Sequence, residues 1–290
     1  MPPLVSVLVT VYNREKYIAA CIESILGQSF RDFEVVIVDD CSKDHSIEMA
    51  RRYESDSRVK IHLNHRNLGD YPNRNRAASL AQGKYLKYVD ADDLIYPHSL
   101  AVMVEAMERF STAGLALSCN IIDPEQPYPF CSEPAQVYRG HFLGRSVLGV
   151  GPSAAIIRTE SFHAVGGFSN RQFVGDTELW LKLAARWPVV SLPPSLVWWR
   201  RHEDQQMTLE MSKPEVLDIR FRLGLSVLDE TTLLTSGEKR LAQRRQRQHH
   251  ARRLLCLAIR SGQPRTAWQL IKKSRIGFRE LLRGLRPYQP

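Results

Sequence analysis

Tyr85-Leu86-Lys87-Tyr88-Val89-Asp90-Ala91-Asp92-Asp93 is the stretch on which the reading of this chain turns. A short apolar and aromatic run ends in three carboxylates within four residues. The run has the length of a strand, and Leu94 to Pro97, then Ser99 onward, reads as a loop entering a helix. Asp90, Asp92 and Asp93 then lie at the carboxyl end of a strand, where open α/β sheets bind ligands. Carboxylates this close repel one another and call for a partner. Mg²⁺ or Mn²⁺ takes oxygen ligands and is held by one or two carboxylates plus a substrate's phosphates. A solvated acidic loop capping the next helix explains the same residues, and the stretch alone does not separate the two.

The residues before it alternate in period. Leu4 to Val11 is a β-branched run of strand length. From Arg14 to Leu26, residues Tyr17, Ile18, Cys21, Ile22, Ile25 and Leu26 repeat at helical spacing. Phe33 to Val38 is a second strand, stopping at Asp39-Asp40-Cys41-Ser42-Lys43-Asp44, a polar turn suited to capping a helix through Ile47, Met49 and Ala50. Val59 to Leu63 is a third strand, Asn64 to Asn73 a polar loop, and Arg74 to Ala81 a short helix ending near Gly83. Strands apolar on both faces, alternating with helices, predict a mostly parallel, doubly wound sheet covered by helices. Asp39-Asp40 and Asp90-Asp92-Asp93 would then meet at one edge of that sheet.

Beyond the acidic stretch, Pro97 to Phe110 reads as a helix and Leu115 to Ile121 as a strand. Asp123 to Pro134, with four prolines, reads as a loop. Gly149 to Ser153 leads into Ala154 to Arg158, and Gly166-Gly167 makes a turn before Phe168. Asp176 and Glu178 fall near the start of a helix through Leu179-Trp180-Leu181. Asp176 is there either a helix-dipole partner worth about 1 kcal/mol or a general base aimed into a pocket. Val189 to Trp199, interrupted by Pro193-Pro194, reads as a bent hairpin or edge strand ending in Trp199-Arg200-Arg201-His202.

The 290 residues suggest one large domain, or one plus a smaller one. No uncharged run approaches the roughly 20 residues of a spanning helix. Met-Pro-Pro-Leu-Val-Ser-Val at the start lacks a basic leader and a cleavage site, so no signal peptide is expected. Five scattered cysteines without metal-ligand spacing fit a reducing cytosol. The net charge of +9 is uneven: Lys239 to Arg286 holds fifteen Lys/Arg and one acidic residue, so it carries +14 and the rest 9 − 14 = −5. A mildly acidic body with a basic tail implies different partners for the two.

Residues 4 to about 205 resemble the family 2 inverting glycosyltransferases. The motifs stand in order: Ser6 to Asn13, Val38 to Asp44, Asn67-Leu68-Gly69 with Arg74-Asn75, Asp90-Ala91-Asp92-Asp93 like a DxD motif, and Val165 to Phe168 followed by Asp176 and Leu179-Trp180-Leu181. The resemblance implies a GT-A (Rossmann-like) nucleotide-sugar-binding fold, with a catalytic domain over 1–212 and a helical, basic extension over 213–290. It implies that Thr10, Tyr12 and Asp39 line a base pocket and that Asp90 meets the ribose or shares the metal. Asp92 would ligate Mn²⁺ or Mg²⁺, and Asp176 would act as base. Arg74 is either a phosphate contact or a solvated helix residue. His202 is either a metal or diphosphate contact or a surface histidine. The donor expected is a nucleotide-diphosphate sugar, a UDP-sugar first, and the acceptor a glycan or lipid-linked hydroxyl in surface polysaccharide biosynthesis.

Three positions depart from the family pattern. Thr10 stands where proline is common, Cys41 where glycine is, and Gly175 where a glutamate often precedes the base. The last leaves Asp176 as base, with Glu178 as fallback. The Q-x-x-R-W pattern of processive members is absent, so transfer of a single sugar is expected. A nucleotidyltransferase or phosphohydrolase built on the same carboxylates would need a phosphate-gripping Gly-rich loop or an N-terminal nucleophilic Asp, and neither is visible. A membrane-binding protein that keeps a GT-A body without catalysis is the non-enzymatic alternative.

In the tail, Trp268, Ile271, Phe278, Leu281, Leu282 and Leu285 read as one helical face ringed by Lys272, Lys273, Arg275, Arg279, Arg283 and Arg286. That predicts peripheral contact with an anionic membrane, or packing onto the catalytic domain with the charges solvated. Nucleic acid is not expected, because no recognition motif accompanies the charge. The expected location is cytoplasmic, with peripheral contact at the inner face of the plasma membrane.

Overall fold

The computed structural model describes residues 2–119, 126–203 and 213–285. It divides into two compact units, Met1–Val137 with Val147–Arg200, and Tyr138–Ser146 with Arg201–Pro290.

The first unit is a mixed sheet with helices on both faces. Strands β1 (Val5–Val11), β2 (Phe33–Asp39), β3 (Val59–Leu63) and β4 (Tyr85–Tyr88) are connected by α1 (Ile18–Leu26), α2 (Ser46–Arg51) and α3 (Asp70–Leu80). All four strands run parallel, in the order β3-β2-β1-β4. β2 and β4 are buried along their whole length and β1 nearly so, which is why their sequences lack an in/out alternation. Truncating a core residue such as Leu8, Ile37 or Leu86 to Ala should cost about 2–5 kcal/mol.

The second half of the sheet changes direction. After β5 (Leu94–Ile95) and α4 (Ser99–Arg109) come β6 (Leu115–Ser118), β7 (Phe130–Ser132), β8 (Ala155–Arg158) and β9 (Val189–Leu192). The order continues β4-β8-β6-β9-β7, with β8 antiparallel to both β4 and β6 and β7 antiparallel to β9. β10 (Val197–Trp198) pairs antiparallel with β5 in a separate two-stranded sheet. Helices α6 (Thr159–Ala164) and α7 (Gly175–Ala184) complete this part, while α5 (Pro134–Leu143) begins in it and passes at Tyr138 into the second unit.

Several expectations need correction here. The proline-rich stretch from Asp123 falls partly outside the described residues, but its end is β7, because Phe130 and Cys131 find backbone partners on β9. Val189 to Trp199 is not an edge hairpin. β9 lies inside the sheet between β6 and β7, and Pro193-Pro194 separates it from β10. α6 had no counterpart in the sequence reading.

The second unit is helical: α8 (Glu215–Glu230), α9 (Ser236–Ile259), α10 (Pro264–Ser274) and α11 (Phe278–Gly284). Thr235 and Glu238 form a reciprocal capping box at the start of α9. Phe221, Ala251, Leu254, Leu270 and Ile276 make its core, with Ile271 and Leu281 packed against them. α11 lies close on α9: a Cβ on Gly284 would stand 2.9 Å from the Arg252 backbone nitrogen. The tail's single apolar face is corrected accordingly. Arg275 takes a left-handed conformation (φ 53°) that ends α10, so the apolar residues divide between two helices. Ile271 and Leu281 turn inward, whereas Trp268, Phe278, Leu282 and Leu285 are exposed. Among the described residues, no helix is long and apolar enough to cross a membrane.

Candidate active site

β1 lies between β2 and β4, so the carboxyl ends of all three strands open on one side. Thr10 lies in the last residues of β1 and Tyr12 just after it, Asp39 ends β2, and Asp90, Asp92 and Asp93 follow β4. Tyr12 is 43% exposed, which leaves an aromatic face open beside the acidic residues. Asp39 is buried: its Oδ2 accepts from the Ser42 amide at 2.9 Å, while Oδ1 has no hydrogen-bond partner among the described residues. A buried carboxylate oxygen left this way is costly unless a ligand donor meets it.

Asp40 has a different task. Its two oxygens accept from the Leu68 and Gly69 amides and the Asn64 side chain at 2.7–2.9 Å, fastening the loop before α3. Asn13 accepts from the Lys43 amide, and its own amide donates to the Ser42 hydroxyl, tying the loops after β1 and β2 together.

The acidic stretch carries its own counter-charges. Arg14 Nε lies 3.0 Å from Asp92 Oδ2. Arg74, on α3, reaches Asp70 at 2.7 Å and Asp90 at 2.8 Å. The Arg200 amide donates to Asp93 Oδ1 and its Nε to the Asp92 carbonyl, while its guanidinium stacks 5.0 Å from the Tyr17 ring and 4.8 Å from that of Trp198. Lys87 is fully buried below the cluster and donates to the Tyr88 and Ser153 carbonyls. Burial pulls its ammonium down to about 7, against the pull of Asp90 and Asp93. Burial and the neighbouring Asp90 push the Asp93 carboxyl up to about 7, opposed by hydrogen bonds from Ser153 and the Arg200 amide. The repulsion among the carboxylates is thus relieved by arginines and a lysine as well as by any ligand. Arg74 is 8% exposed, so it is not a solvated helix residue.

Whether these residues fit a divalent ion turns on donor chemistry. Among the described residues, no group of three or more His, Cys, Asp or Glu side chains could hold a metal by itself. Asp90 and Asp92 do offer hard oxygens at the sheet's carboxyl edge, with side chains 30% and 11% exposed. That fits Mg²⁺ or Mn²⁺, which takes one or two carboxylates and completes its shell with water and phosphate oxygens. His202 lies in the second unit, so its expected place beside Asp92 rests on the family resemblance alone.

α3 links the acidic cluster to Asp176. One turn carries Asp70, Tyr71 and Arg74. The Tyr71 hydroxyl accepts from the Gly175 amide at 3.0 Å, at the start of α7. Burial raises the Tyr71 phenol, and the charges of Asp176 and Asp70 raise it further. The Tyr71 ring also accounts for the missing glutamate: a Cβ at position 175 would stand 2.6 Å from it. Asp176 is half-buried in the first turn of α7, where the Thr177 amide donates to its Oδ1 at 2.7 Å. Glu178 is held by Ser169, by Lys182 at 3.3 Å and by Arg171 at 3.7 Å, which leaves it committed to local structure. Asn75 exchanges two hydrogen bonds with the Phe168 backbone, and Tyr71 stacks on the Phe168 ring at 5.4 Å.

Sequence reasoning missed Arg14, Tyr71, Lys87 and Arg200. Arg14 and Arg200 each stand beside a motif that was read, Tyr12-Asn13 and His202. Tyr71 gave no signal, because it meets Gly175 only in the fold, and Lys87, though inside the opening stretch, shows its burial and its bond to the Ser153 carbonyl only there.

Residues 6–166, more than half of the chain, match the profile of glycosyl transferase family 2. An uncharacterized glycosyltransferase of Methanocaldococcus jannaschii is 40% identical over 119 residues, 40% of this chain and 41% of that protein. The putative teichuronic acid biosynthesis glycosyltransferase TuaG of Bacillus subtilis is 38% identical over 120 residues, 40% of this chain and 48% of that protein. The match thus spans less than half the length of either relative. Among solved structures, residues 1–349 of S. aureus TarS in complex with UDP-GlcNAc superpose with a TM-score of 0.74 at 19% identity, covering 97% of this chain and 83% of that one. The mannosyltransferase PcManGT of Pyrobaculum calidifontis, in complex with GDP-Man and Mn²⁺, gives 0.63 at 17% identity over 98% and 86%. These likenesses establish the GT-A-like sheet and its helical surround.

Proposed function

Since the chain belongs to glycosyl transferase family 2, we propose that it transfers one sugar from a nucleotide-diphosphate sugar to an acceptor hydroxyl, inverting the anomeric centre. The observation that carries this reading is the meeting of Asp39, Asp90 and Asp92 at the carboxyl ends of β2 and β4, on either side of β1, in a chain of this family. A UDP-sugar is the donor favoured, supported by the UDP-GlcNAc held by TarS. The teichuronic acid name of the Bacillus relative supports a glycan or lipid-linked acceptor in surface polysaccharide biosynthesis. In this reading residues 1–212 carry the chemistry, and 213–290 form a basic extension that works at the inner face of the plasma membrane.

Thr10 and Tyr12 line the base, and the open Oδ1 of Asp39 accepts a hydrogen bond from it. Asp92, with Asp90, would hold Mn²⁺ or Mg²⁺, and the Mn²⁺ bound by the mannosyltransferase supports that class of ion. Held there, such an ion would supply positive charge to offset that of the leaving diphosphate. Arg74 keeps Asp90 in place and adds positive charge near the phosphates. Asp176 takes the proton of the acceptor hydroxyl, worth about 10²–10⁴-fold in rate. The acceptor oxygen bonds to the anomeric carbon from the opposite face. The anomeric carbon–phosphate oxygen bond breaks, and the nucleoside diphosphate leaves with the electron pair.

The test is a thermal-shift titration with nucleoside diphosphates and nucleotide sugars, with and without Mn²⁺. A ligand at about 100 times its dissociation constant adds roughly 2.7 kcal/mol of stability. The expected result is a shift with one nucleotide that depends on Mn²⁺ and vanishes in Asp92→Ala. Asp176→Asn should keep the shift and lose turnover about 10²–10⁴-fold. No shift with any nucleotide would sink the reading.

A further inference from the structure

The helical unit exposes large apolar side chains in a regular arrangement. On α11 and its C-terminal cap, where Leu285 keeps a helical backbone, Phe278, Leu282 and Leu285 fall at i, i+4 and i+7, one stripe of a helix, and are 75%, 48% and 64% exposed. The side of α11 flanking the stripe is occupied, since Leu281 packs into the unit's core and Gly284 lies against α9. The stripe is therefore surplus to folding. Trp268 on α10 is 55% exposed and Ile259, at the end of α9, 73% exposed. An exposed apolar stripe of this kind marks a binding surface.

Its charge identifies the partner. From Ile259 to Leu285 there are seven basic residues, Arg260, Arg265, Lys272, Lys273, Arg275, Arg279 and Arg283, and one acidic residue, Glu280. Glu280 is already engaged, capping α11 at Gly277 and pairing with Arg247. Lys272 lies 5.4 Å over the Trp268 ring, so a cation and an indole share one surface. A second copy of the chain would bring like charge against like charge. Nucleic acid would satisfy the arginines but would leave Leu282, Leu285 and Ile259 in water. An anionic lipid surface satisfies both: headgroups meet the guanidinium and ammonium groups while the stripe enters the acyl boundary.

We infer that α11 is a peripheral docking surface for anionic phospholipid, in which Phe278, Leu282 and Leu285 insert and Arg275, Arg279 and Arg283 bind headgroups. This deepens the membrane-face part of the function proposed above, and rests on that reading only for its purpose, not for its geometry.

The experiment is co-sedimentation of the full chain with vesicles of phosphatidylcholine alone and of an equal mixture of phosphatidylcholine and phosphatidylglycerol. The chain should bind the mixed vesicles, bind phosphatidylcholine far less, and be released as salt shortens the screening length. Each positive charge near such a surface contributes about fivefold, so Arg275→Gln with Arg279→Gln should weaken partition roughly 30-fold. Phe278→Ser with Leu282→Ser should abolish stable binding. These side chains are exposed, so helical circular dichroism should be unchanged, and a drop would direct the test to the arginine pair. Equal binding to both vesicles would overturn the proposal. So would binding indifferent to both pairs of substitutions, a dimer broken by Leu282→Ser, or a preference for an RNA oligomer over mixed vesicles. Asp92→Ala should leave vesicle binding intact, so loss of the docking result and loss of the transferase result are told apart.

Discussion

Cys41 has a φ of 65°, a left-handed conformation in which an L side chain crowds its own carbonyl. It follows Asp39 and Asp40 directly, and its backbone lets the chain turn so that the Ser42 amide reaches back to Asp39. At this position the turn, not the side chain, is required. Cys41→Gly should therefore stabilise the protein by about 0.5–1 kcal/mol, the relief of strain less the extra freedom of glycine in the unfolded chain. Urea titration should show a higher midpoint with an unchanged slope. Gly175 is the reverse case, a glycine set by a neighbour: the Tyr71 ring occupies the space of any side chain, so no carboxylate can stand beside Asp176 at this position. No sequence pattern contains that fact, because positions 71 and 175 meet only in the fold.

At the scale of elements, α8 and α9 share a buried polar contact. His250 is 3% exposed and stacks on Phe221 at 4.1 Å between ring centroids. Burial lowers its imidazole to about 4; Arg253 and His249 lower it further, and Asp218 opposes them. The folded value lies below that of the unfolded chain, about 6.5, so the neutral ring contributes stability above pH 6.5. That contribution fades as pH falls toward 4, by roughly 3 kcal/mol in all. His141, in the same unit, is also lowered to about 4 by burial and adds to the loss. His250→Phe keeps a ring on Phe221 and removes one share of this dependence. Urea midpoints measured from pH 7 to pH 4 should fall less steeply in the variant, and an unchanged slope would show that His250 is not the group titrating. α3 shows the same principle in the first unit, since Asp70, Tyr71 and Arg74 connect Asp90 to the start of α7.

At the scale of the molecule, the division into two units predicts where a donor is felt. Hydrogen exchange with nucleotide and Mn²⁺ should show protection in residues 10–14, 39–45, 64–74, 90–93 and 173–178. Residues 215–284 should exchange as before. Protection reaching α8 to α11 would mean that the helical unit takes part in donor binding. The basic charge of that unit and the carboxylates of the other would then be coupled rather than separate.

The parallel half of the sheet was legible in the sequence because each strand is local and apolar on both faces, so Val5–Val11, Phe33–Asp39 and Val59–Leu63 could be read from composition and their turns. The placement of Asp39, Asp90 and Asp92 at one edge followed, since parallel strands share a direction. The family resemblance then supplied roles, and the match over residues 6–166 bears out the family. Tertiary structure alone decided the rest. β7 is a strand only because β9 offers it backbone partners, and β9 is internal only because of that pairing. Arg14 and Arg200 join the acidic cluster from 78 and 107 residues away, and Lys87 does so from beneath it. The tail divides into buried and exposed apolar residues because one left-handed residue, Arg275, ends a helix. Sequence determines what a short segment can form by itself; which charges meet, and which apolar faces stay uncovered, depends on contacts between segments that only folding brings together.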